Sequence, residues 1–324
     1  MASSQIFDIV IIGSGMAGLA AAGVAREVGH SVCVLDKGRR IGGRVSTRRA
    51  DSFTFNHGAQ FLTARHKDFI TACEAAQMAG ALIPWRVADR DAFCGAPTMR
   101  DFPAFLGSGL DVRQQVEITD VTRDDAFVTV HDADGPVARG RQLLVTAPAP
   151  QTARLLDSVA PDLAATARSA TYAPCWTGMY GFEDGTLSTI STPTGTDSGP
   201  VGWACWEAQR PGATTGQAGA ALTVQAAPDW STAELERDAG SIADALLTAY
   251  QVMVGTTLPR PAYMAAHRWR YARVIQAAEP DMPRHTADGL IGIAGDWIAG
   301  ARVEDAFLSG HGAMTGLLGI RTRP

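Results

Sequence analysis

The spacing of apolar residues changes twice within the first fifty positions. Ile6-Phe7-Asp8-Ile9-Val10-Ile11-Ile12 is a short, β-branched apolar run interrupted only by Asp8, which predicts a strand buried on both faces. It runs directly into Gly13-Ser14-Gly15-Met16-Ala17-Gly18, and the alanine-rich stretch from Leu19 to Val28 then predicts a helix stopped by Gly29. Ser31-Val32-Cys33-Val34-Leu35 predicts a second strand, ending on Asp36. Further along, Phe55 to Phe61 reads as a strand entering a turn at Gly58, and His66 to Ala79 as a helix closed by Gly80. The block from Asp111 to Pro148 is strand-rich. Val116 to Val121 and Phe127 to Val130 alternate, Asp134-Gly135 is a hairpin signal, and Gln142 to Pro148 is a buried strand with a small-residue end. From Gln151 the chain turns helical and then strand-rich again, with Thr192 to Gly219 reading as loops. Ser231-Thr232-Ala233-Glu234 has the form of a capping box opening a helix with apolar positions Leu235, Ile242, Leu246, Leu247 and Tyr250. Near the end, the strand Leu290 to Ala294 delivers Gly295-Asp296, and a small-residue loop leads into Val303-Glu304-Asp305.

Composition narrows the class. A chain of 324 residues suits about two domains. With 46% hydrophobic and 19% charged residues it carries an ordinary globular balance, and a net charge of −5 argues against nucleic acid as a partner. No apolar run approaches the ~20 residues of a membrane span, and no basic segment precedes the first apolar run as in a signal peptide. The five cysteines are odd in number, widely spaced and without a C-x-x-C, which points to reduced thiols in the cytoplasm and to no metal site. Lysine occurs only at Lys37 and Lys67, so arginine supplies 26 of the 28 basic residues.

The first strand–turn–helix–strand carries the clearest chemistry. A G-x-G-x-x-G turn between strand and helix, with an acid closing the second strand, is the arrangement for a dinucleotide. Gly13 permits the tight turn, Gly15 lets a pyrophosphate reach the backbone, and Gly18 lets helix and strand pack closely. Free N–H groups at the helix start attract the phosphates, and Asp36 can accept from ribose hydroxyls. A second glycine pair follows in Arg40-Ile41-Gly42-Gly43-Arg44, where the Arg44 guanidinium is placed to fork onto phosphate oxygens. Arg39, Arg40, Arg48 and Arg49 read as solvated charge. Plain NAD dehydrogenases do not need this second loop, so the pattern favours FAD.

The Arg40–Arg44 stretch resembles the R-x-G-G-R signature of the amine-oxidase-like flavoproteins, and the chain as a whole resembles their renalase-like branch, especially the bacterial renalases. The matching stretches are Gly42 to Arg49, His57 to Arg65, Val145 to Pro150, Ala266 to Arg273, and Gly295 through Arg302-Val303-Glu304 to Gly310. It departs from that pattern between Ala81 and Met99. The resemblance implies an α/β, two-domain flavoprotein, with a Rossmann-type FAD domain of the p-hydroxybenzoate hydroxylase and amine oxidase topology and an inserted mixed-sheet substrate domain. It places the FAD domain at 1–66, 101–152 and 285–324 and the substrate domain at 67–100 and 153–284. It implies non-covalent FAD held by Gly13, Ser14, Gly15, Met16, Ala17, Gly18, Asp36, Lys37, Gly43, Arg44, Ala59, Gln60, Phe61, Val116, Ala147, Gly295, Asp296, Arg302 and Val303. The helix after Gly295-Asp296 would direct its N-terminus at the flavin C2 carbonyl.

Renalase-like enzymes oxidise 2- or 6-dihydro isomers of NAD(P)H, with hydride passing to flavin N5 and O2 giving hydrogen peroxide. Such a ring is already electron-rich, so orientation rather than a general base is required. Gln60, His267 and Trp269 are the candidate orienting residues, with Phe61, Tyr271 and Trp297 as candidate cavity walls. An amine oxidase or a desaturase-type flavoenzyme is the alternative within the fold. Many amine oxidases place a lysine near flavin N5, and here both lysines precede residue 68. A non-catalytic FAD or NAD sensor is the alternative of another class, which turnover would exclude.

Overall fold

A computed structural model describes residues 5–87, 89–191, 199–213 and 219–320, and it builds the chain around two sheets. Of Thr192–Gly219, read as loops, residues 192–198 and 214–218 fall outside the described residues, and Val201–Trp206 between them is a strand, its buried side chains packing into the second sheet. The N-terminal apolar run forms β1 (Ile6–Ile12), followed by α1 (Met16–Glu27) and β2 (Val32–Asp36). A two-stranded hairpin of β3 (Arg48–Ala50) and β4 (Phe53–Phe55) comes next, then α2 (Lys67–Met78), capped by His66. A second hairpin, β5 (Leu82–Val87) with β6 (Arg90–Gly95), occupies the region where the resemblance fades, and α3 (Asp101–Leu106) follows it. Then come β7 (Asp111–Gln114), β8 (Asp120–Arg123), β9 (Val128–Asp132) and β10 (Gly135–Val145), with Asp134 in the β9–β10 turn as the Asp-Gly signal predicts.

These strands form the larger sheet, in the order β7-β2-β1-β10-β9-β8. β2 and β10 flank β1 in parallel, whereas β9 and β8 run antiparallel at one edge. Alternation along β1 explains the layering. Ile9 and Ile11 face α1, where Ala17, Ala21, Ala22 and Ala25 let the helix lie close. Val10 and Ile12 face the opposite layer, α4 (Ala149–Leu156) and α5 (Pro161–Arg168). A Cβ on Gly310 would collide with the Ala17 carbonyl, so α1 and the C-terminal helix meet backbone to backbone.

The second sheet is antiparallel, with β11 (Thr171–Phe182), β12 (Val201–Trp206) and β13 (Ala220–Ala226). After α6 (Pro228–Ala233) and α7 (Ala239–Val254), β14 (Tyr263–Gln276) completes it in the order β12-β13-β11-β14. One face packs Tyr180, Trp206 and Leu222 against Ile242, Leu246 and Tyr250 of α7. The chain then re-enters the larger sheet as β15 (Ile291–Ile293), parallel to β10, and ends with α8 (Val303–Leu317) on α1. The two-domain α/β architecture expected from the sequence is thus present, with the first sheet built from both ends of the chain.

Two further local expectations fail. Val116 to Thr119 is not strand; it crosses the sheet edge as coil, with Val116 N–H donating to the Asp36 carbonyl at 2.9 Å. Ser231 to Glu234 does not open a helix but closes the short α6. The Ser231 hydroxyl accepts from Trp176 N–H instead, and Asp238 caps α7 by accepting from Ser241 N–H.

Candidate active site

A cavity of about 1840 Å³ lies between the sheets. Single-ligand sites run ~300–1,000 Å³, so this one has room for a dinucleotide and a second molecule. At its floor the β1–α1 turn does what its glycines predict. A side chain on Gly18 would run into the Gly13 carbonyl, so helix and turn touch, whereas a Cβ on Gly15 would meet no atom within 4 Å. Gly15 is the N-cap of α1 and no side chain caps the helix, so its first N–H groups face the cavity free for an anion. Asp36 closes β2 with its carboxylate accepting from Ser14 N–H at 2.6 Å, Ser14 Oγ at 2.8 Å and Gly38 N–H at 2.6 Å. It holds the turn shut and lines the cavity beside Lys37, which pairs with Glu117 at 3.4 Å.

The second glycine pair brings Gly43 against Gly15, but Arg44 does not reach for phosphate. Its guanidinium forks onto the Asp296 carboxylate at 2.7 Å through each nitrogen and donates to the Tyr271 and Ala272 carbonyls at 3.3 Å. Burial works against the charge on Arg44, yet Asp296 outweighs it and holds the guanidinium protonated above its ordinary range. The pair ties the Gly42–Arg44 loop to the Gly295–Asp296 turn, so both expected FAD residues sit at the cavity but bind one another. The first turn of α8 is likewise engaged: Asp305 accepts from Arg302 N–H at 2.9 Å, and buried Glu304 accepts from the N–H groups of Arg65 and His66 at 2.6 and 2.7 Å. Two carboxylates there offset the positive end of the helix. Ala59, Phe61, Val116, Ala147, Gly295, Arg302 and Val303 line the cavity; Ser14 and Gly18 support it from behind.

The third segment is the turn after β4. Gln60, expected to orient substrate, spends its amide on the fold. Nε2 donates to the Asn56 and Gly58 carbonyls at 2.5 and 3.0 Å, and Oε1 accepts from Trp203 Nε1 at 3.1 Å and from Arg210. Below it, buried Glu207 accepts from Asn56 N–H and Nδ2, each at 2.8 Å, and pairs with buried Arg210 at 2.9 Å. This network fixes the turn that carries His57. The imidazole of His57 stacks on Trp269 with ring centres 5.3 Å apart and meets His267 edge-on at 5.2 Å, and all three rings face the cavity. Trp269 Nε1 donates to the His57 carbonyl at 2.8 Å. His267 and Trp269 are thus brought together as the sequence suggests. His57, Trp203, Glu207 and Arg210 were not singled out, although His57 opens the His57–Phe61 stretch. Trp297 is not a wall; it is fully buried, donating to the Ala147 carbonyl at 3.1 Å.

Burial, then His267 and the nearby Arg48 and Arg100, push His57 down to about 3; burial and Arg48 push His267 down to about 4. Both imidazoles are therefore neutral at pH 7. The unfolded chain takes up these protons first, near pH 6.5, so stability present above that pH is lost as it falls towards about 4. Melting curves from pH 7 to 5 are expected to fall more steeply for the wild type than for His267→Gln. Parallel slopes would mean that the imidazole titrates normally.

The donor set fits FAD: an uncapped helix start over an open glycine for the pyrophosphate, an acid at the second strand, and a long cavity reaching Trp269. Among the described residues no helix is long and apolar enough to cross a membrane, and no three His, Cys, Asp or Glu side chains gather to hold a metal ion. Comparison with known proteins agrees with the fold. Solved structures that superpose include a protein from Exiguobacterium sp. 255-15 proposed to be a protoporphyrinogen oxidase (TM-score 0.73, 16% identity, 97% of this chain and 99% of that one). Putrescine oxidase bound to putrescine is another (TM-score 0.72, 13% identity, 98% and 100%). Curated relatives match over shorter lengths. An L-amino-acid oxidase of Crotalus adamanteus is 44% identical over 66 residues, which is 20% of this chain and 13% of the relative. A 4,4'-diapophytoene desaturase of Staphylococcus aureus (strain Newman) is 39% identical over 67 residues, again 20% and 13%. A profile of NAD(P)-binding Rossmann-like domains matches residues 11–72, and that of flavin-containing amine oxidoreductases matches residues 85–313. With most of its length covered by that second profile, the chain belongs to the flavin-containing amine oxidoreductase family and has FAD as its cofactor.

Proposed function

We propose that the protein is a renalase-like oxidase that takes hydride from 2- or 6-dihydro isomers of NAD(P)H. Bound FAD supplies the hydride acceptor and hands the electrons to O2, so that dihydronicotinamide, O2 and one proton give NAD(P)+ and hydrogen peroxide.

The observation that carries this reading is the lack of a free base among the described residues that line the cavity. Its three lining carboxylates are engaged: Asp36 by the β1–α1 turn, Glu117 by Lys37 and Asp296 by Arg44. The two imidazoles hold a proton too weakly to draw one near pH 7. A substrate oxidised here must release hydride without first losing a proton, and a dihydropyridine does so because its ring nitrogen supplies the electrons. The chain's part is to hold the ring against an aromatic wall of Trp269, His57 and His267, whose imidazoles are neutral. Phe61 and Trp203, with ring centres 5.5 Å apart, give the cavity an apolar wall near Gln60.

An amine substrate suits this cavity poorly. Among the described residues the lining holds twelve arginine or lysine side chains against three carboxylates, and an ammonium ion entering it meets like charge. The test is hydrogen peroxide production from purified dihydronicotinamide isomers beside putrescine, cyclohexylamine and L-amino acids. Turnover of an isomer with no amine turned over supports the reading; the reverse sinks it, and no turnover of any reductant would leave a nucleotide sensor.

A further inference from the structure

The chain is acidic overall, at −5, yet its main cavity is strongly cationic. Some of those cations are neutralised. Arg44 is matched by Asp296, Arg268 and Arg270 by Glu236, and Arg302 by Glu304 and Asp305. Others are not. Arg40, Arg48, Arg49 and Arg100 line one stretch of the cavity, and among the described residues none has a carboxylate within ion-pair distance. Arg40, Arg48 and Arg49 read from the sequence as solvated charge, and nothing local singles out Arg100. The fold instead gathers them on the loop before β3, on β3 itself and at the start of α3.

Their mutual position shows in how they act on each other. Arg100 is held by the Ser46 hydroxyl at 3.3 Å and by the Thr47 carbonyl, while its Nε is buried without a partner. Burial and the repulsion of Arg40 and Arg49 bring its guanidinium down to about 10. Arg48 lies 3.5 Å from His267 Nδ1, and both Arg48 and Arg100 depress His57. Arg48 and Arg100 therefore border the imidazole pair, and Arg40 and Arg49 lie near enough to Arg100 to repel it. A protein that leaves like charges unpaired around a cavity pays for it in stability, and a polyanion is the ligand that removes the repulsion.

We propose that Arg40, Arg48, Arg49 and Arg100 form a shelf that binds the phosphate groups of the substrate. The shelf makes the substrate a phosphorylated nucleotide rather than a bare ring, and it holds the ring at His267 by its distal end. The identity of the oxidised ring rests on the reading above; the shelf's affinity for phosphate does not.

The probe is inorganic pyrophosphate titrated calorimetrically into the FAD-loaded protein, for wild type and for the double variant Arg40→Gln/Arg49→Gln. Both side chains are exposed and without acid partners, so the variant is expected to fold and keep its FAD. Pyrophosphate should bind the wild type, more weakly as salt rises, and the variant should bind at least about tenfold more weakly. With a dihydronicotinamide dinucleotide as substrate, KM should rise about tenfold while kcat stays within about twofold, the split expected when ground-state and transition-state binding are lost alike. Unchanged pyrophosphate affinity would overturn the shelf. Equal binding of glutarate would make it a carboxylate site, and loss of FAD from the variant would assign it to the cofactor; both refute the proposal. If no dihydronicotinamide is oxidised, the titration still decides the shelf and only the reading of the ring falls.

Discussion

Asp296→Ala is expected to cost about 3 kcal/mol of stability and most of the bound FAD. The Asp296 carboxylate is nearly buried, at 6% exposure, and accepts two 2.7 Å hydrogen bonds from Arg44. Removing it strands a guanidinium whose remaining contacts are a pair of carbonyls at 3.3 Å and the face of Tyr172. Arg44 keeps 31% of its side chain in contact with solvent, which places the loss at the lower end of the range for breaking such a pair. The same bond aligns the Gly42–Arg44 loop with the Gly295–Asp296 turn, so the two walls of the cofactor cavity separate when it goes. Thermal unfolding and the flavin-to-protein absorbance ratio check both parts. Asp296→Asn, which keeps the shape and one acceptor, should fall between alanine and wild type. A double variant replacing Arg44 by Met and Asp296 by Leu should recover stability but not FAD. An alanine variant that melts with the wild type would show that the pair contributes nothing.

The second large effect separates binding from folding. Gly15→Val should abolish FAD binding, by about 100-fold or more, while leaving the apoprotein's melting temperature nearly unchanged. Backbone angles at Gly15 are extended, with φ −77°, and suit any residue, and a Cβ there meets no protein atom within 4 Å. What the valine would fill is the space over the free N–H groups of α1, where the pyrophosphate must pass. Gly18→Ala supplies the contrast: its Cβ collides with the Gly13 carbonyl, so that variant should fail to fold. Retained FAD in Gly15→Val would move the pyrophosphate away from this turn.

What could be read from the chain follows from how far each feature reaches in sequence. The β1–turn–α1–β2 unit was legible because alternation, glycine spacing and the closing Asp36 all act within about thirty residues. The roles of Arg44 and Gln60 were not, because their partners are far off: Asp296 lies 252 residues from Arg44, and Arg210 150 residues from Gln60. A guanidinium or an amide at a cavity edge looks available until the long-range partner that satisfies it is known. Ser231 failed for the same reason, its hydroxyl having been taken by Trp176 on a neighbouring strand. Arg40, Arg48 and Arg49, read as solvated charge, show the opposite case, since only the fold reveals that they converge with Arg100 without acids. His57 lay inside a recognised stretch, but nothing local marks an imidazole as neutral; that follows from its burial against Trp269 and His267.

The central claim is oxidation without a base, and one anaerobic experiment tests it most directly. The FAD-loaded protein is mixed without oxygen with 2- or 6-dihydro-NAD(P), and its yellow absorbance is followed against pH. The account predicts rapid bleaching whose rate is flat from pH 8 to 5.5, because neither His57 nor His267 changes charge there. Faster bleaching by a monoamine, or a rate that falls as a base titrates near pH 6.5 and loses that dependence in His267→Gln, would contradict it.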